Sequence, residues 1–465
     1  MFKIHNTNMK KKFSRAALAI LAVFTMALTG CGGDMPTPDD PEIPEIPNNG
    51  GTSQPDDKPS EIILHATYRA AEGEKVSLYN SNLNIARMFV DGKEVTPRPD
   101  YTFTEAGEHT VFYSLKYDNI GINAFSGCTA LTSIEIPEGV TYIGASAFKN
   151  CTSLTNVTVI DGVAQIGGGA FEGCTALENV TLPSTLTLIG GFTFSGCTSL
   201  TSIELPEGIM HILGGDFKGC TSLTSVTLPS TLAGLGGSTF SGCSKLTSIE
   251  IPEGVTKIEH SVFENCTALT SVAIPKGVIS IGDAVFSGCS TLTSIVIPEG
   301  VKSIGQVAFK DCSALNSVVI PSTLTDLGRN AFNGCKSLTS LTLPSTLTRI
   351  GKGAFSGCTA LTSIVIPEGV ESIPQDAFYK CSSLASVTIP KGVTSIGEYA
   401  FGWCASLHSV TCKAMTAPAL VSEVFSYLKK GGTLTVPTGA SGYEEWMNRN
   451  SLGYYDWTLQ YSDEL

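Results

Sequence analysis

The chain contains 465 residues, of which 42% are hydrophobic, 15% charged and 8% aromatic. This apolar content excludes a disordered chain, and the length is enough for two or more ordinary domains. The 29 basic residues are outnumbered by 42 acidic ones, which gives a net charge of −13. Nucleic acids and anionic membrane surfaces attract basic proteins, so the charge argues against either as a partner.

The N-terminal residues have the features of an export signal. Basic residues between Lys10 and Arg15 precede an apolar run over residues 16–28, which is too short to span a bilayer comfortably. The run ends in Leu-Thr-Gly-Cys31, which resembles the lipobox of bacterial lipoproteins. This resemblance implies that residues 1–30 are a signal peptide and that Cys31 is lipidated after cleavage.

Residues 31–60 differ sharply in composition from the rest of the chain. From residue 32 to residue 60 there are seven prolines and seven acidic residues. Such a segment cannot bury a hydrophobic core and is expected to stay extended. We interpret it as a tether after the lipidated cysteine. It is either a passive spacer or a sorting signal, because acidic residues soon after that cysteine resemble the surface-export signals of some lipoproteins.

A 23-residue repeat dominates the following part of the chain. Thirteen cysteines occur at intervals of 23 residues, each with Phe three residues before it and Leu three residues after it. Such a register is typical of a solenoid, so residues 117–412 are predicted to form thirteen stacked coils. The cysteines are Cys128, Cys151, Cys174, Cys197, Cys220, Cys243, Cys266, Cys289, Cys312, Cys335, Cys358, Cys381 and Cys404.

The spacing of apolar residues within one coil indicates its conformation. In the first coil Phe125, Cys128 and Leu131 are three residues apart, which favours an irregular or 3₁₀-like turn. Ile134 and Ile136 then alternate with polar residues, which predicts a short strand with every second side chain facing inward. Stacking would pair these strands in one parallel sheet, so we predict a mostly β, α/β-type repeat solenoid.

Two stretches of the repeat carry a family motif. Residues 361–370 read Leu-Thr-Ser-Ile-Val-Ile-Pro-Glu-Gly-Val, and residues 354–358 read Ala-Phe-Ser-Gly-Cys. This pattern resembles the BspA-like leucine-rich repeat of bacterial surface proteins nearly letter for letter. The resemblance implies a right-handed leucine-rich-repeat solenoid and an exported protein, and several members of that family are adhesins for host matrix proteins. It is nearly silent about the ligand, because one fold serves many functions.

Residues 61–116 lack the repeat but alternate in strand fashion. Val111 and Tyr113 fall at the spacing of the two strand residues of an additional coil. We therefore predict a small β N-terminal cap that supplies a strand next to the first coil, because an open solenoid end would be an unpaired strand edge.

Residues 413–465 are predicted to form a degenerate coil and a C-terminal cap. Phe425 and Val436 retain the spacing of a fourteenth coil. Residues 443–452 are predicted to form a short helix whose Trp446 covers the open core, with Trp457 helping.

The cysteine ladder is compatible with a redox or metal role or with a purely hydrophobic one. Stacking would bring neighbouring cysteine Cα atoms to ~5 Å, within disulfide reach. The degenerate coil, however, has Leu428 at the equivalent position, and a site that accepts Leu is a hydrophobic slot. Zinc-type C-x₂-C spacing is absent from the sequence. We therefore predict buried free thiols, including Cys412, with no metal and no cofactor.

The sequence offers no catalytic constellation. The histidines of the solenoid, His211, His260 and His408, occupy different positions in their coils, so the many Ser and Thr residues lack a nearby base. Neither a local pair of carboxylates nor a phosphate-binding loop is visible. We do not expect an enzyme.

The outward face of the predicted strands is the candidate binding surface. Two positions of each strand are mostly Thr and Ser, whereas the third position changes along the chain from acidic to apolar. Thr and Val also suit exposed strands in general, so the pattern has a structural explanation as well. As a binding groove, its apolar half would anchor a partner protein and its acidic half would orient a basic segment. The third-position residues are Glu135, Glu204, Glu250, Ala273, Val296, Val319 and Val365.

Two other surfaces are weaker candidates. The Ser and Thr ladders would suit a glycan, although sugar sites usually present exposed aromatic side chains, which are missing here. A second row consists of variable turn residues, namely Asp283, Gln306, Arg329, Lys352, Gln375 and Glu398.

These features predict a lipid-anchored outer-membrane protein that faces the cell surface, or else the periplasm. Its predicted function is to bind other macromolecules through the repeat face, foremost as an adhesin for host matrix or cell-surface proteins. A glycan-capture lipoprotein and a structural envelope protein are the alternatives. The membrane would be contacted through the N-terminal lipid alone, and no nucleic-acid partner is expected.

Overall fold

The computed structural model describes residues 61–448 and 451–465. The predicted signal peptide, Cys31 and the remainder of the tether lie outside the described residues. The described residues belong to one compact unit and consist almost wholly of β-strands and turns. Their single helical segment is the 3₁₀-helix Leu452–Tyr455. No helix in this part of the chain is long and apolar enough to cross a bilayer.

The first part of the unit is an antiparallel sheet with a small hairpin-like pair beside it. The sheet has the strand order β1-β6-β3-β4, and β2 pairs separately with β5. Tyr68 and Tyr113 are fully buried, and their hydroxyl oxygens lie 2.9 Å apart beside the carbonyl of Leu78. The strands are β1 (Ile63–Ala70), β2 (Lys75–Ser77), β3 (Ile85–Val90), β4 (Lys93–Val95), β5 (Asp100–Thr102) and β6 (Gly107–Leu115).

The stacked coils follow, and each has only short strands. In chain order these strands are β7 (Asn119–Ile120), β8 (Leu131–Ile136), β9 (Tyr142–Ile143), β10 (Asn156–Val159), β11 (Gln165–Ile166), β12 (Asn179–Thr181), β13 (Leu188–Ile189), β14 (Ser202–Glu204), β15 (His211–Ile212), β16 (Ser225–Thr227), β17 (Gly234–Leu235), β18 (Ser280–Ile281), β19 (Ser294–Val296), β20 (Ser303–Ile304), β21 (Ser317–Val319), β22 (Asp326–Leu327), β23 (Arg349–Ile350), β24 (Ser363–Val365), β25 (Ser372–Ile373), β26 (Ser386–Ile389), β27 (Ser395–Ile396), β28 (Ser409–Cys412), β29 (Ala419–Leu420), β30 (Thr433–Pro437) and β31 (Thr458–Ser462).

Equivalent strands pair in parallel and in register, which confirms the predicted solenoid. The predicted strand forms the first ladder, in which β8 pairs with β10 and β10 with β12. A second ladder, which the sequence did not predict, joins two-residue strands such as β9, β11 and β13. The sequence indicated one parallel sheet because two residues are too few to show a period-two pattern. Each coil can therefore be held to its neighbours on two sides.

The repeated apolar residues fill one continuous core. The Phe and Cys side chains of every coil and the Leu side chains after them are buried, as the spacing predicted. From Phe125 to Phe425 the phenyl rings stack nearly parallel, with neighbouring centroids 5.1–5.8 Å apart. A single coil could not bury this face alone, so stacking is what stabilises it.

At the N-terminal end, the strand beside the first coil differs from the prediction. The strand β6 contains Val111 and Tyr113, but β1 is the strand that pairs with β8, in antiparallel orientation. The strand β6 lies on the far side of β1. The 23-residue spacing holds only from β7, whose Ile120 pairs in register with Ile143. The pairing of strands within residues 61–116 thus determines which strand lies beside the first coil, and the 23-residue spacing of the coils does not extend into these residues.

At the C-terminal end, the degenerate coil is present but the predicted helix is not. The strand β30 pairs with β28, and Leu428 occupies a largely buried slot. Residues 443–447 form turns, and the short helical segment starts only at Leu452. Trp446 is nevertheless buried, with its ring 5.5 Å from that of Phe425. The last strand, β31, pairs with β30 and was not predicted.

Candidate functional site

The first ladder exposes the third-position residues in one row, which we call the outward row. Glu135, Glu204, Glu250, Ala273, Val296, Val319 and Val365 are all exposed. The register of neighbouring strands aligns the row, because β-pairing sets Val296 directly opposite Val319 and Glu250 opposite Ala273. Alternate inward residues such as Ile295 are buried, so the strand pattern itself directs these side chains outward.

The apolar part of the outward row is compact in its centre. The side chains of Val296 and Val319 are 61% and 52% exposed and lie in adjacent coils. Val365 is 69% exposed, but Thr342 in the intervening coil separates it from Val319. The structure therefore brings Ala273, Val296 and Val319 into consecutive coils and leaves Val365 apart.

The acidic part of the row is more broken than the sequence interpretation implied. Thr158 and Thr181 lie in the two coils after Glu135, and Thr227 is paired with Glu204. Glu135 also has a neighbour in the cap, because the imidazole Nδ1 of His65 lies 3.9 Å from its carboxylate. The surface is thus a row of separated carboxylates that leads to an apolar centre.

The first outward position has a structural task in several strands. The hydroxyl of Thr132 donates to the carbonyl of Thr67 at 3.1 Å, and that of Thr155 donates to the carbonyl of Thr132 at 3.1 Å. The same bond to the preceding coil recurs further along the ladder at Thr224, Thr270 and Thr362. These Thr side chains are explained by coil stacking and are poor candidates for ligand contacts.

A shallow groove of about 720 Å³ lies where the cap meets the first coils. Thr67, Thr132, Ser133 and Asn156 line it. At its rim, the guanidinium of Arg69 donates to the carboxylate of Glu108 at 2.8 Å. The outward row thus begins beside this polar groove. The one cation among the residues that line the groove is Arg69, which is already paired with Glu108, so the groove has little attraction for an anionic ligand.

The cysteine ladder is buried and reduced. All fourteen cysteines of the described residues are free thiols in buried positions. From Cys151 to Cys404, successive thiols donate to the carbonyl of the Phe located 26 residues earlier, as with Cys243 and Phe217 at 3.1 Å. Burial raises the pKa of Cys220, Cys289 and Cys358 to about 12, so these thiols stay protonated and unreactive.

The described residues contain no group of three or more His, Cys, Asp or Glu side chains that could hold a metal ion. The solenoid histidines His211, His260 and His408 lie in different coils and at different positions of the repeat. The Nδ1 of His408 lies 2.9 Å from the carbonyl oxygen of Ser406, within hydrogen-bond distance.

A group of aromatic side chains that the sequence analysis missed, three of them exposed and three half-buried, occurs in the last coils and beyond them. We call this group the C-terminal aromatic cluster. The signal in the sequence was the replacement of a repeated glycine before the cysteine by Trp403, and before Leu428 by Tyr427. None of its members belongs to the first ladder, so it is separate from the outward row. The cluster consists of Tyr379, Tyr399, Trp403, Tyr427, Tyr454 and Tyr455.

Comparison with known proteins identifies the repeat. Residues 118–233, 214–339 and 302–430 match the family model described as BspA type leucine rich repeat region, with six copies. A leucine-rich repeat protein from Bacteroides ovatus is 29% identical, with a TM-score of 0.59, over 78% of this chain and 91% of that one. A leucine rich cell surface protein from Faecalibacterium prausnitzii is 32% identical, with a TM-score of 0.47, over 65% of this chain and 84% of that one. No curated protein matches the chain.

Proposed function

The chain belongs to the BspA-type leucine-rich-repeat family, and we propose that it is a lipid-anchored bacterial surface protein that binds other proteins through its outward row. The observation that carries this proposal is the exposed centre formed by Ala273, Val296 and Val319 in consecutive coils. Exposed apolar residues aligned on a rigid frame provide anchors for a partner without a large ordering cost. Adhesion to a host matrix or cell-surface protein is the version of this function that we favour.

The charge of the row supports a particular kind of partner. The carboxylates of Glu204 and Glu250 precede the apolar centre on the same face. Both are exposed, so each contributes more to the orientation and rate of association than to affinity. A partner segment with basic residues beside an apolar stretch would fit this order, and its association would slow as salt is raised.

The surface location rests on the N-terminal sequence and on the family. The Leu-Thr-Gly-Cys31 sequence supports a lipid anchor, and residues 32–60 would hold the solenoid away from the membrane. The similar protein from Faecalibacterium prausnitzii is described as a cell surface protein. Protease treatment of intact cells, followed by immunoblotting, should remove the solenoid. Protection until lysis would contradict a surface location, and a Cys31→Ala variant should be lost from the membrane fraction.

The binding face is tested by charge substitution in its apolar centre. The double variant Val296→Asp/Val319→Asp should lose binding to immobilised matrix proteins (fibronectin, laminin, collagen and fibrinogen), because the new carboxylates must be desolvated at the contact. The matched control is Thr158→Asp/Thr181→Asp, which adds the same charge at a paired, exposed position of the same row. Unchanged binding in the valine variant, with an unchanged melting temperature, would contradict the proposal.

A further inference from the structure

The C-terminal aromatic cluster contains ring pairs that join neighbouring coils. The rings of Trp403 and Tyr427 stack with centroids 4.3 Å apart, and those of Tyr379 and Tyr399 meet edge to face at 6.0 Å. The hydroxyl of Tyr455 accepts a hydrogen bond from the backbone N–H of Tyr427 at 2.6 Å. Trp403, Tyr427 and Tyr454 are 44%, 58% and 64% exposed. The cluster is therefore a preorganised aromatic surface in contact with solvent.

Trp403 and Tyr427 occupy a backbone position that disfavours large side chains. The residue before each core cysteine, or before Leu428, has a positive φ in all fourteen coils, and eight of these residues are glycine. Trp403 has φ 62° and Tyr427 has φ 57°, whereas Gly357 in an earlier coil has φ 73°. A bulky residue in this left-handed region costs free energy. Trp403 is 44% and Tyr427 58% exposed, so neither ring is enclosed in the core, and complete burial does not explain why they replace glycine.

A cleft of about 1040 Å³ adjoins the cluster. Its lining includes Tyr427, Tyr454 and the carboxylates of Glu423 and Glu445, and it includes no Lys or Arg. Ser426 also lines the cleft, is 6% exposed, and has a hydroxyl without a hydrogen-bond partner in the described part of the chain. Because this hydroxyl is closed to solvent, the carboxylates of Glu423 and Glu445 are the charged groups of the cleft that are available to a ligand.

We propose that the C-terminal aromatic cluster and its cleft bind a neutral oligosaccharide. Sugar rings combine apolar C–H faces, which pack on aromatic rings, with hydroxyls that require hydrogen bonds to carboxylates and hydroxyl groups. The cluster supplies the rings, and Glu423 and Glu445 supply the polar partners. Carboxylates without a lining cation disfavour uronic acids and other anionic sugars. The site is separate from the outward row, so it stands whether or not the proposed protein-binding function is correct.

A basic peptide is the main competing ligand, because acidic residues and aromatic rings also attract cations. Aromatic recognition of a cation requires an open ring face above which the charge can sit. Here Trp403 and Tyr427 cover one face of each other, and Lys380 of this chain already lies 5.1 Å from the centroid of Tyr379. The cation position over Tyr379 is thus already filled by this chain, whereas a sugar ring can pack on the face of Trp403 or Tyr427 that the other ring does not cover.

Affinity electrophoresis of the purified full chain tests the proposal. The gels contain soluble starch, arabinoxylan, galactomannan or mixed-linkage β-glucan, and a parallel assay uses polylysine as the cationic probe. We expect at least one polysaccharide to retard the wild type, with retardation that is insensitive to salt. Trp403→Gly and Tyr454→Ser should each weaken this binding at least tenfold. Phe192→Gly is the matched control and should bind as the wild type does, because Phe192 is also 50% exposed with a positive φ of 61°.

The thermal stability of Trp403→Gly separates a binding role from a structural one. Glycine is the residue that eight coils use at this position, so this variant should melt at or above the wild-type temperature. A clear drop in melting temperature would mean that the ring supports the fold, and the proposal would be overturned. It would also be overturned if no polysaccharide retarded the chain, if Trp403→Gly bound as well as the wild type, or if polylysine bound instead in a salt-sensitive manner.

Discussion

Asp216 occupies a core slot that is Ala147 or Ala170 in earlier coils, and its replacement should change how solenoid stability depends on pH. Its side chain is 1% exposed. The carboxylate accepts hydrogen bonds from the backbone N–H groups of Thr193 at 3.1 Å and Gly214 at 3.4 Å. Burial outweighs these bonds and raises the pKa of Asp216 from its ordinary 3.8 to about 7. Both of these partners are uncharged backbone N–H groups.

The size of the pH effect on folding stability follows from the difference in the pKa of Asp216 between the folded and the unfolded state. The pKa of Asp216 is higher in the folded state than in the unfolded state. The contribution of its protonated carboxyl to the stability of the fold is therefore fully present below pH 3.8 and is lost progressively as pH rises through about 7. A tenfold change in a protonation equilibrium is worth about 1.4 kcal/mol, so the penalty between pH 4.5 and pH 8 is ~3 kcal/mol. Asp216→Ala removes this penalty but also two hydrogen bonds of ~1 kcal/mol each. We expect the variant to be more stable than the wild type at pH 8 and less stable at pH 4.5.

Urea denaturation of the full chain at both pH values measures this change of sign. Repeat arrays can lose cooperativity, so hydrogen exchange of peptides spanning residues 190–217 should accompany it. Asp216→Thr is the matched control, because Thr239 fills the same slot in the next coil and donates to the carbonyl of Gly236 at 2.6 Å. It should show the same reduced pH dependence as Asp216→Ala. If wild type and both variants depend on pH in parallel, the carboxylate is not the buried acid described here.

The core thiols and the C-terminal cover provide further tests. In native protein at pH 8, a maleimide should not modify the core cysteines. Denatured, unreduced protein should then yield at least twelve free thiols, and a smaller number would indicate disulfides. Cys243→Ala removes a fully buried sulfur and should lower the free energy of unfolding by about 1–3 kcal/mol, measured by urea denaturation. Trp446→Ala exposes the ring of Phe425 and removes the bond from the indole N–H to the carbonyl of Pro418 at 3.1 Å. We expect a loss of about 3–5 kcal/mol, and an unchanged melting temperature would contradict the role of Trp446 as a cover.

The features that could be predicted from the sequence are those whose buried residues recur at a fixed spacing. Phe125, Cys128 and Leu131 recur every 23 residues because each must enter the same core as its neighbours above and below. The strand at Ile134 and Ile136 was likewise visible, because every second residue faces inward. From these alone came the solenoid, the buried thiols and the exposure of the outward row.

The features that were missed depend on pairing or on local backbone. The strand β1, and not β6, flanks the first coil. The pattern of apolar residues does not indicate which strand of an antiparallel sheet has a free edge that can pair with this coil. The strand β31 was missed because Thr458 follows its partner Thr433 by 25 residues, without the Phe-x-x-Cys pattern before it. The C-terminal aromatic cluster was missed because the positive φ at Trp403 becomes significant only when the backbone is known.

The two proposed surfaces differ in how strongly a substitution within the repeat argues for function. At the outward row, a valine such as Val296 satisfies the strand at little cost, so its presence alone is weak evidence and needs the charge-substitution test. At the turn before the cysteine, a non-glycine residue with positive φ costs of order 1–3 kcal/mol. Trp403 and Tyr427 incur this cost in adjacent coils, although both rings remain partly exposed to solvent. A departure from the repeat that destabilises the fold is more informative about function than one that the fold accepts freely, and the sugar-binding site should therefore be tested first.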